Sequence, residues 1–292
     1  MTRKQGERSH LPLHLFLLVF TLLACYPILW VFTIAFSGKQ SLAIVNLPSN
    51  PTTTDRLRAI TPWPEEVSVS NFVSVMRDQP FVRWMFNSAI VAGATTIVGV
   101  FMACTAAYAF SRFRFPGRRA LLMSFLVSQM FPGTLTLIPL YIILVQWLEL
   151  GSSWIGLILI YATTAIPFCV WMLKGYFDTI PKELEESALM DGASTGRIFF
   201  SIVLPLAKPA VAVTALFAFM TGWNEFILAA TFMDKELMYT APVGLRFFVG
   251  GFQQQWGFFA AGSIIVAIPV VVLFMYLQKY LVSGLTAGAV KG

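Results

Sequence analysis

Residues 84–111 read WMFNSAIVAGATTIVGVFMACTAAYAFS, twenty-eight residues without an acid or a base, held between Arg83 and Arg112. A bilayer core about 30 Å thick needs roughly 20 apolar residues at 1.5 Å rise each. The run is long enough to cross once as a helix and too short to cross twice with a turn. Helix is the expected form, because lipid offers no hydrogen-bond partners to an open backbone. Comparable charge-free runs occupy 9–38, 120–148, 150–173 and 247–278, and a further apolar stretch, 209–233, is broken only by Glu225. The predicted fold is all-α: a polytopic membrane protein of six transmembrane helices. After a first span within 1–37, the others are expected at about 87–110, 120–147, 154–173, 208–232 and 258–281.

The composition agrees. Of 292 residues, 57% are hydrophobic and 12% charged, against about 25% charged in a soluble domain. An aromatic share of 15% excludes disorder, which is polar and poor in aromatics. A mean hydropathy of +0.74 argues against a soluble enzyme. Arg3, Lys4 and Arg8 give the first run a basic start, but 11–35 exceeds the roughly 7–15 residues of a signal core. Ala24-Cys25-Tyr26 is a poor cleavage site. The first run reads as an uncleaved span.

Lys and Arg set the orientation. With the N-terminus in the cytoplasm, thirteen basic residues fall inside: Arg3, Lys4, Arg8, Arg112, Arg114, Arg118, Arg119, Lys174, Lys182, Arg197, Lys208, Lys279 and Lys291. Seven fall outside. This is the positive-inside bias, and it places both termini in the cytoplasm. The net charge of +6 is thus a topology signal, since no basic face with interleaved aromatics marks a nucleic-acid partner. Trp84, Trp147, Trp154 and Trp256 at outer span ends, with Tyr108, Trp171 and Tyr280 at inner ones, read as interfacial belts.

The reactive residues are few. Cys25, Cys104 and Cys169 lie in separate runs without zinc-site spacing, and His10 and His14 sit together at the N-terminal edge. No metal site, catalytic constellation or phosphate-binding G-x-x-x-x-G-K-[ST] loop is visible. No cofactor is expected in this chain. Small-residue spacings such as Ala103/Ala107 and Gly257/Ala261 let spans pack closely and carry no functional weight.

Three segments lie between spans. The outer loop 38–83 is rich in Pro and Thr and is expected to run irregularly on the membrane surface, with Ser70 capping a short helix to about Asp78. A second outer segment, 234–256, carries Gly250, Gly251, Gln253 and Gln254. It reads either as a flexible tip touching an external protein or as an ordinary exposed turn. The third, 174–207, is more ordered. Pro181 suits a first helical turn. Glu183, Glu185 and Glu186 favour the positive end of a helix. Asp191-Gly192 stops that helix with Gly in the left-handed conformation. Ser194 can cap a second helix that Leu204-Pro205 halts. Leu184 and Ala188 form its apolar face. The residues alone leave open whether this helix only packs on its own spans or docks a partner.

The pattern Glu186-Ser187-Ala188-x-x-x-Gly192, nine residues, then Ile202-x-Leu204-Pro205 resembles the "EAA" loop of binding-protein-dependent ABC importer permeases. It departs from that loop at Ser187, a small residue where the family has Ala. Asn87-Ser88, Tyr108-Ala109-Phe110-Ser111-Arg112 and Trp223-Asn224-Glu225-Phe226 resemble the carbohydrate-uptake branch. The tail 282–292, which includes Gly284-Leu285-Thr286-Ala287-Gly288, resembles maltose/maltodextrin permease subunits of the MalG type. The resemblance implies a permease subunit in the inner (plasma) membrane. It would work beside a second, different permease subunit (MalF-like), a cytoplasmic ATPase homodimer (MalK-like) that binds ATP and Mg, and an extracytoplasmic sugar-binding protein. The expected cargo is a maltose- or maltodextrin-like oligosaccharide, or another sugar such as trehalose. Glu186, Ser187, Ala188, Asp191, Gly192, Ile202, Leu204 and Pro205 would form the ATPase-coupling loop, and the tail would also touch the ATPase. Gly250, Gly251, Gln253 and Gln254 would be candidates for contact with the binding protein.

Glu225 stands apart. A carboxylate near mid-span costs about 2.5–3.5 kcal/mol on insertion scales. With Asn224 it either lines the pathway or makes an inter-helix hydrogen bond. A secondary transporter would show inverted repeats and several intramembrane ionisable groups, and a membrane enzyme would show a reactive cluster. A signalling subunit that kept the loop and lost the cavity is a third alternative.

Overall fold

The computed structural model of the protein describes residues 11–42, 48 and 50–289; the side chains at 134 and 281–289 lie outside that description. Arg3, Lys4, Arg8, His10 and Lys291 also lie outside it. Every regular element among the described residues is helical. The first are α1 (Leu11–Phe36), α2 (Thr53–Ile60), α3 (Ser70–Arg77), α4 (Phe81–Arg112), α5 (Arg118–Met130) and α6 (Gly133–Tyr141), the last prolonged by a π-helical turn, Ile142–Trp147. Then come α7 (Trp154–Phe177), α8 (Glu183–Met190), α9 (Thr195–Ile198), a second π-helical turn (Phe199–Val203) and α10 (Leu204–Leu206). The chain closes with α11 (Lys208–Asn224), α12 (Ile227–Phe232), α13 (Ala241–Phe247) and α14 (Trp256–Ala289).

Four helices, α1, α4, α7 and α14, are long and apolar enough to cross a membrane. Two more candidate crossings are bent: α5 meets Leu135–Trp147 at 106°, and Thr195–Leu206 meets α11 at 81°. The continuous spans expected at 120–147 and 208–232 are therefore corrected. Pro132 has no N–H and pushes Phe131 into extended backbone (φ −77°, ψ 128°), which ends α5. The 81° bend lies at Ala207, and the stretch expected as one span over 208–232 is interrupted at Glu225 (φ −69°, ψ 130°), between α11 and α12. The helix expected at 258–281 starts at Trp256 and continues to Ala289, through most of the stretch read as a separate tail.

The chain forms two compact units, residues 1–79 with 245–265, and 80–244 with 266–292. In the first, the loop 38–83 proves partly helical. Thr52 Oγ1 accepts from Asp55 N (3.3 Å) while Asp55 Oδ2 accepts from Thr52 N (2.9 Å), a reciprocal cap that starts α2. The Thr52 hydroxyl and amide hold the Asp55 carboxyl below its ordinary range. Ser70 is not the cap of α3. It is the first helical residue, and its N–H donates to Ser68 Oγ at 3.1 Å. The buried Asn71 donates to Ala35 O (3.0 Å), satisfying a carbonyl left open at the end of α1. Gly257 belongs here too: a Cβ on it would come within 2.3 Å of Lys39 O.

In the second unit α4 packs along α7 and α11. Its buried positions, among them Ser88, Val91, Ala92, Thr95, Gly99, Ala103 and Ala107, recur every three or four residues on one face. Small side chains on that face let backbones approach, as where Gly222 of α11 lies so close that an added Cβ would be 3.2 Å from Ala92 Cα. Trp84, Asn87 and Ser88 share the first turns of this face and grip 236–241. Trp84 Nε1 donates to Glu236 O, Asn87 Nδ2 to Leu237 O and Tyr239 O, and Ser88 Oγ accepts from Ala241 N, all at 2.8–3.0 Å. Trp84 is 1% exposed and Tyr108 8%, so neither is a belt residue. Each has a polar tip that finds an internal partner, which makes burial cheaper than the interface.

Candidate functional site

Asp178 to Leu206 builds a helix–turn–helix at the end of the second unit where α4 and α7 finish. Pro181 stands two residues ahead of the first helical residue, Glu183, outside the helical turn expected to hold it. The carbonyl of Lys182 accepts from Glu185 N and Glu186 N at 2.9 and 3.0 Å and so opens α8. At the other end Gly192 N donates to Leu189 O (3.0 Å) and Ala193 N to Ala188 O (2.9 Å). These two bonds are the Schellman closure, and they require the left-handed φ of +80° that Gly192 adopts. Ser194 Oγ accepts from Arg197 N and caps α9. Leu204-Pro205 does not halt this second helix. The π-helical turn Phe199–Val203 widens the ladder ahead of Pro205, whose ring needs room beside the preceding turn, and the helix runs on to Leu206.

The motif residues divide by environment. Glu186, Ser187, Asp191 and Gly192 are exposed; Ala188, Ile202 and Leu204 are half-buried against the core around Phe177, Phe199 and Val203; Pro205 is exposed. Ser187 turns its hydroxyl back to Glu183 O at 2.8 Å. Leu184, expected on the packing face, is 45% exposed. It points outward because position 185 takes the inward direction.

Glu185 is the residue that the sequence reading passed over. Its side chain is 10% exposed and meets Arg112, 8% exposed, with Nε donating to Oε1 at 2.5 Å. Tyr108 OH donates to its other oxygen at 2.9 Å. Arg112 also donates to Ile180 O (3.1 Å) and Ser111 Oγ (2.9 Å). Ser111 Oγ in turn donates to Asp178 Oδ1 (2.6 Å), and Lys174 Nζ to Asp178 Oδ2. Burial alone would raise the Asp178 carboxyl. The bonds from Lys174 and Ser111, with Arg112 nearby, outweigh it and hold Asp178 below the usual carboxylate range. One polar network thus fastens α8 to the ends of α4 and α7. Adjacent positions on a helix point about 100° apart, which is how Glu185 faces inward while Glu186 faces out.

Glu225 sits at the break between α11 and α12. Its carboxylate accepts from Leu228 N (2.8 Å), Ala229 N (2.9 Å) and Tyr161 OH of α7 (2.8 Å). It therefore satisfies two of the open N–H groups at the start of α12 and ties them to α7. Asn224 is exposed and takes no part. Glu225→Ala should destabilise the protein by about 2–3 kcal/mol, because it strands these donors. Glu225→Gln, which keeps one acceptor oxygen, should cost less. Thermal unfolding of the purified protein with both variants checks this; equal losses would refute the capping role.

Gly250, Gly251, Gln253 and Gln254 are exposed and lie in the first unit, in a turn closed by Gln255 N donating to Phe248 O at 2.6 Å. Gln254 Oε1 accepts from Trp256 Nε1.

The architecture is that of a multi-pass membrane component with a stiff helix–turn–helix bolted to its spans. The chain belongs to the family of binding-protein-dependent transport system inner membrane components, whose family model matches residues 95–287. It is 37% identical over 280 residues to the maltodextrin transport system permease protein MdxG of Bacillus subtilis (strain 168), covering 96% of this chain and 95% of that one. It is also 37% identical over 280 residues to the galactooligosaccharides transport system permease protein GanQ of the same organism, covering 96% and 94%. Its fold matches a chain in the crystal structure of a bacterial ABC transporter involved in the import of the acidic polysaccharide alginate. The TM-score is 0.76 at 22% identity, over 94% of this chain and 98% of that one.

Proposed function

We propose that this chain is one of two different permease subunits of an ATP-driven importer, carrying a maltodextrin-like oligosaccharide by alternating access. Both termini and the 174–207 segment lie in the cytoplasm, as the Lys/Arg distribution favours. A separate ATPase homodimer binds ATP and Mg and grips α8, and an external binding protein delivers the sugar. Closure of the ATPase halves moves α8 inward, the spans rock, and the cavity opens outward; hydrolysis resets it. This chain supplies motion and cavity wall without bond chemistry. The observation that carries the reading is the opposite placement of neighbouring glutamates: Glu185 buried in the fastening network and Glu186 exposed on the same helix.

Glu186 offers an ATPase Arg or Lys a charge-assisted bond worth about 1.5–3 kcal/mol, roughly a 10- to 150-fold change in docking. Glu186→Lys should abolish sugar-stimulated ATPase activity in the assembled complex and leave membrane insertion intact. Normal stimulation would refute the coupling role. The equal identity to maltodextrin and galactooligosaccharide permeases supports a second reading for the cargo, a sugar other than a maltodextrin. Competition by a panel of unlabelled sugars in a transport assay decides between them.

A further inference from the structure

The loop between α4 and α5 turns through Gly117, whose φ is +82°, and α5 then opens with Arg118-Arg119. That is an unfavourable arrangement taken alone. The first N–H groups of a helix carry partial positive charge, and α5 has neither an acid in its first turn nor a side-chain cap to offset it. Arg114 from the loop and Lys174 from α7 bring two more cations to the same space. The four line a cavity of about 580 Å³, with Phe115 and Leu122 in its wall and no acidic residue among the lining. Lys174 has one acidic partner, Asp178. Among the described residues the guanidinium groups of Arg114, Arg118 and Arg119 have no hydrogen-bond or ion-pair partner.

The surroundings change character abruptly along α5. Leu121, Met123, Leu126 and Val127 are all exposed and apolar, on a helix whose sequence lies within a membrane-spanning run. A cationic hollow opening onto an apolar helix wall fits a molecule with a phosphate at one end and hydrocarbon at the other. We propose that this cavity holds the phosphate-bearing headgroup of an anionic phospholipid, with its acyl chains lying along α5. The orientation proposed above puts that headgroup in the cytoplasmic leaflet; the binding chemistry does not depend on it.

The test uses the assembled transporter in phosphatidylcholine nanodiscs with phosphatidylglycerol added, and reads retained lipid by native mass spectrometry. Wild type should retain phosphatidylglycerol in preference to phosphatidylcholine. Arg118→Gln/Arg119→Gln should lower that retention roughly 25-fold, two basic groups at about five-fold each. Arg56→Gln/Arg58→Gln, which removes the same charge from α2, should leave it unchanged. Equal retention in the two double variants overturns the proposal. So does displacement of the lipid by millimolar inorganic phosphate, which would mark a free-anion site. A cross-link from Arg119→Cys to the ATPase in place of lipid would assign the arginines to a protein partner and also overturn it. If phosphatidylglycerol is retained while Glu186→Ala leaves ATPase attachment unchanged, the lipid site stands and the coupling reading falls.

Discussion

Glu185→Ala is expected to destabilise the protein by about 3–5 kcal/mol, whereas Glu186→Ala, one residue on, should change stability by no more than about 0.5 kcal/mol. The asymmetry follows from burial. Arg112 and Glu185 are 8% and 10% exposed. Removing the carboxylate leaves a guanidinium in a site from which water is largely excluded, and Tyr108 loses its acceptor with it. The Lys39–Glu65 pair, at 2.8 Å, offers an internal comparison. Its side chains are 41% and 51% exposed, so Glu65→Ala should cost at most about 1 kcal/mol. The double variant Arg112→Met/Glu185→Leu should recover much of the loss, since an apolar pair of similar volume replaces both charges. Thermal unfolding of the purified protein across these variants checks the order. Equal losses from Glu185→Ala and Glu186→Ala would refute the division of roles between them.

The second large effect is expected at Gly244. A Cβ on this residue would lie 1.9 Å from Trp84 Cε3, a separation no pair of carbons tolerates. The indole cannot easily retreat, being buried and held by its bond to Glu236 O at 3.0 Å. Gly244→Ala should therefore cost about 3 kcal/mol or more, the upper range for overpacking plus the lost hydrogen bond. Trp84→Ala removes a large buried ring and should cost about 3–5 kcal/mol by itself. Because the two positions share one space, their effects should not add: Trp84→Leu in the Gly244→Ala background should be less damaging than the sum of the single changes. Additive losses in that cycle would show that the two side chains are not in competition.

Much of this architecture was legible from charge-free length, because a bilayer imposes one requirement on every crossing segment. Local rules also held where a few adjacent residues decide the outcome, as at Gly192 and Ser194. Breaks inside the spans were harder. Phe131-Pro132-Gly133 carries a stop signal, but it lies within an uninterrupted apolar run, and length outweighed it. Trp84 and Tyr108 were placed at the lipid boundary by their depth in the helix, since their partners, Glu236 and Glu185, lie 152 and 77 residues away. Glu185 was hidden for a related reason. An acid in the first turn of a helix already has a local explanation in the helix dipole, so nothing in its neighbourhood asked for a distant arginine. Pro205 was read as a stop because the π-helical turn that accommodates it depends on the packing of Phe199 and Val203.

The outward and inward glutamates differ only by a single step along α8, about 100° of rotation. Gaining one residue between Asp178 and Leu184 would bring Leu184 to the inward position facing Arg112 and turn Glu185 into solvent, without altering any side chain nearby. Such an insertion should therefore cost about as much as Glu185→Ala, whereas substitutions at the exposed positions of α8 should be tolerated. For anyone grafting this segment onto another scaffold, the count of residues ahead of Glu185 is the quantity to preserve.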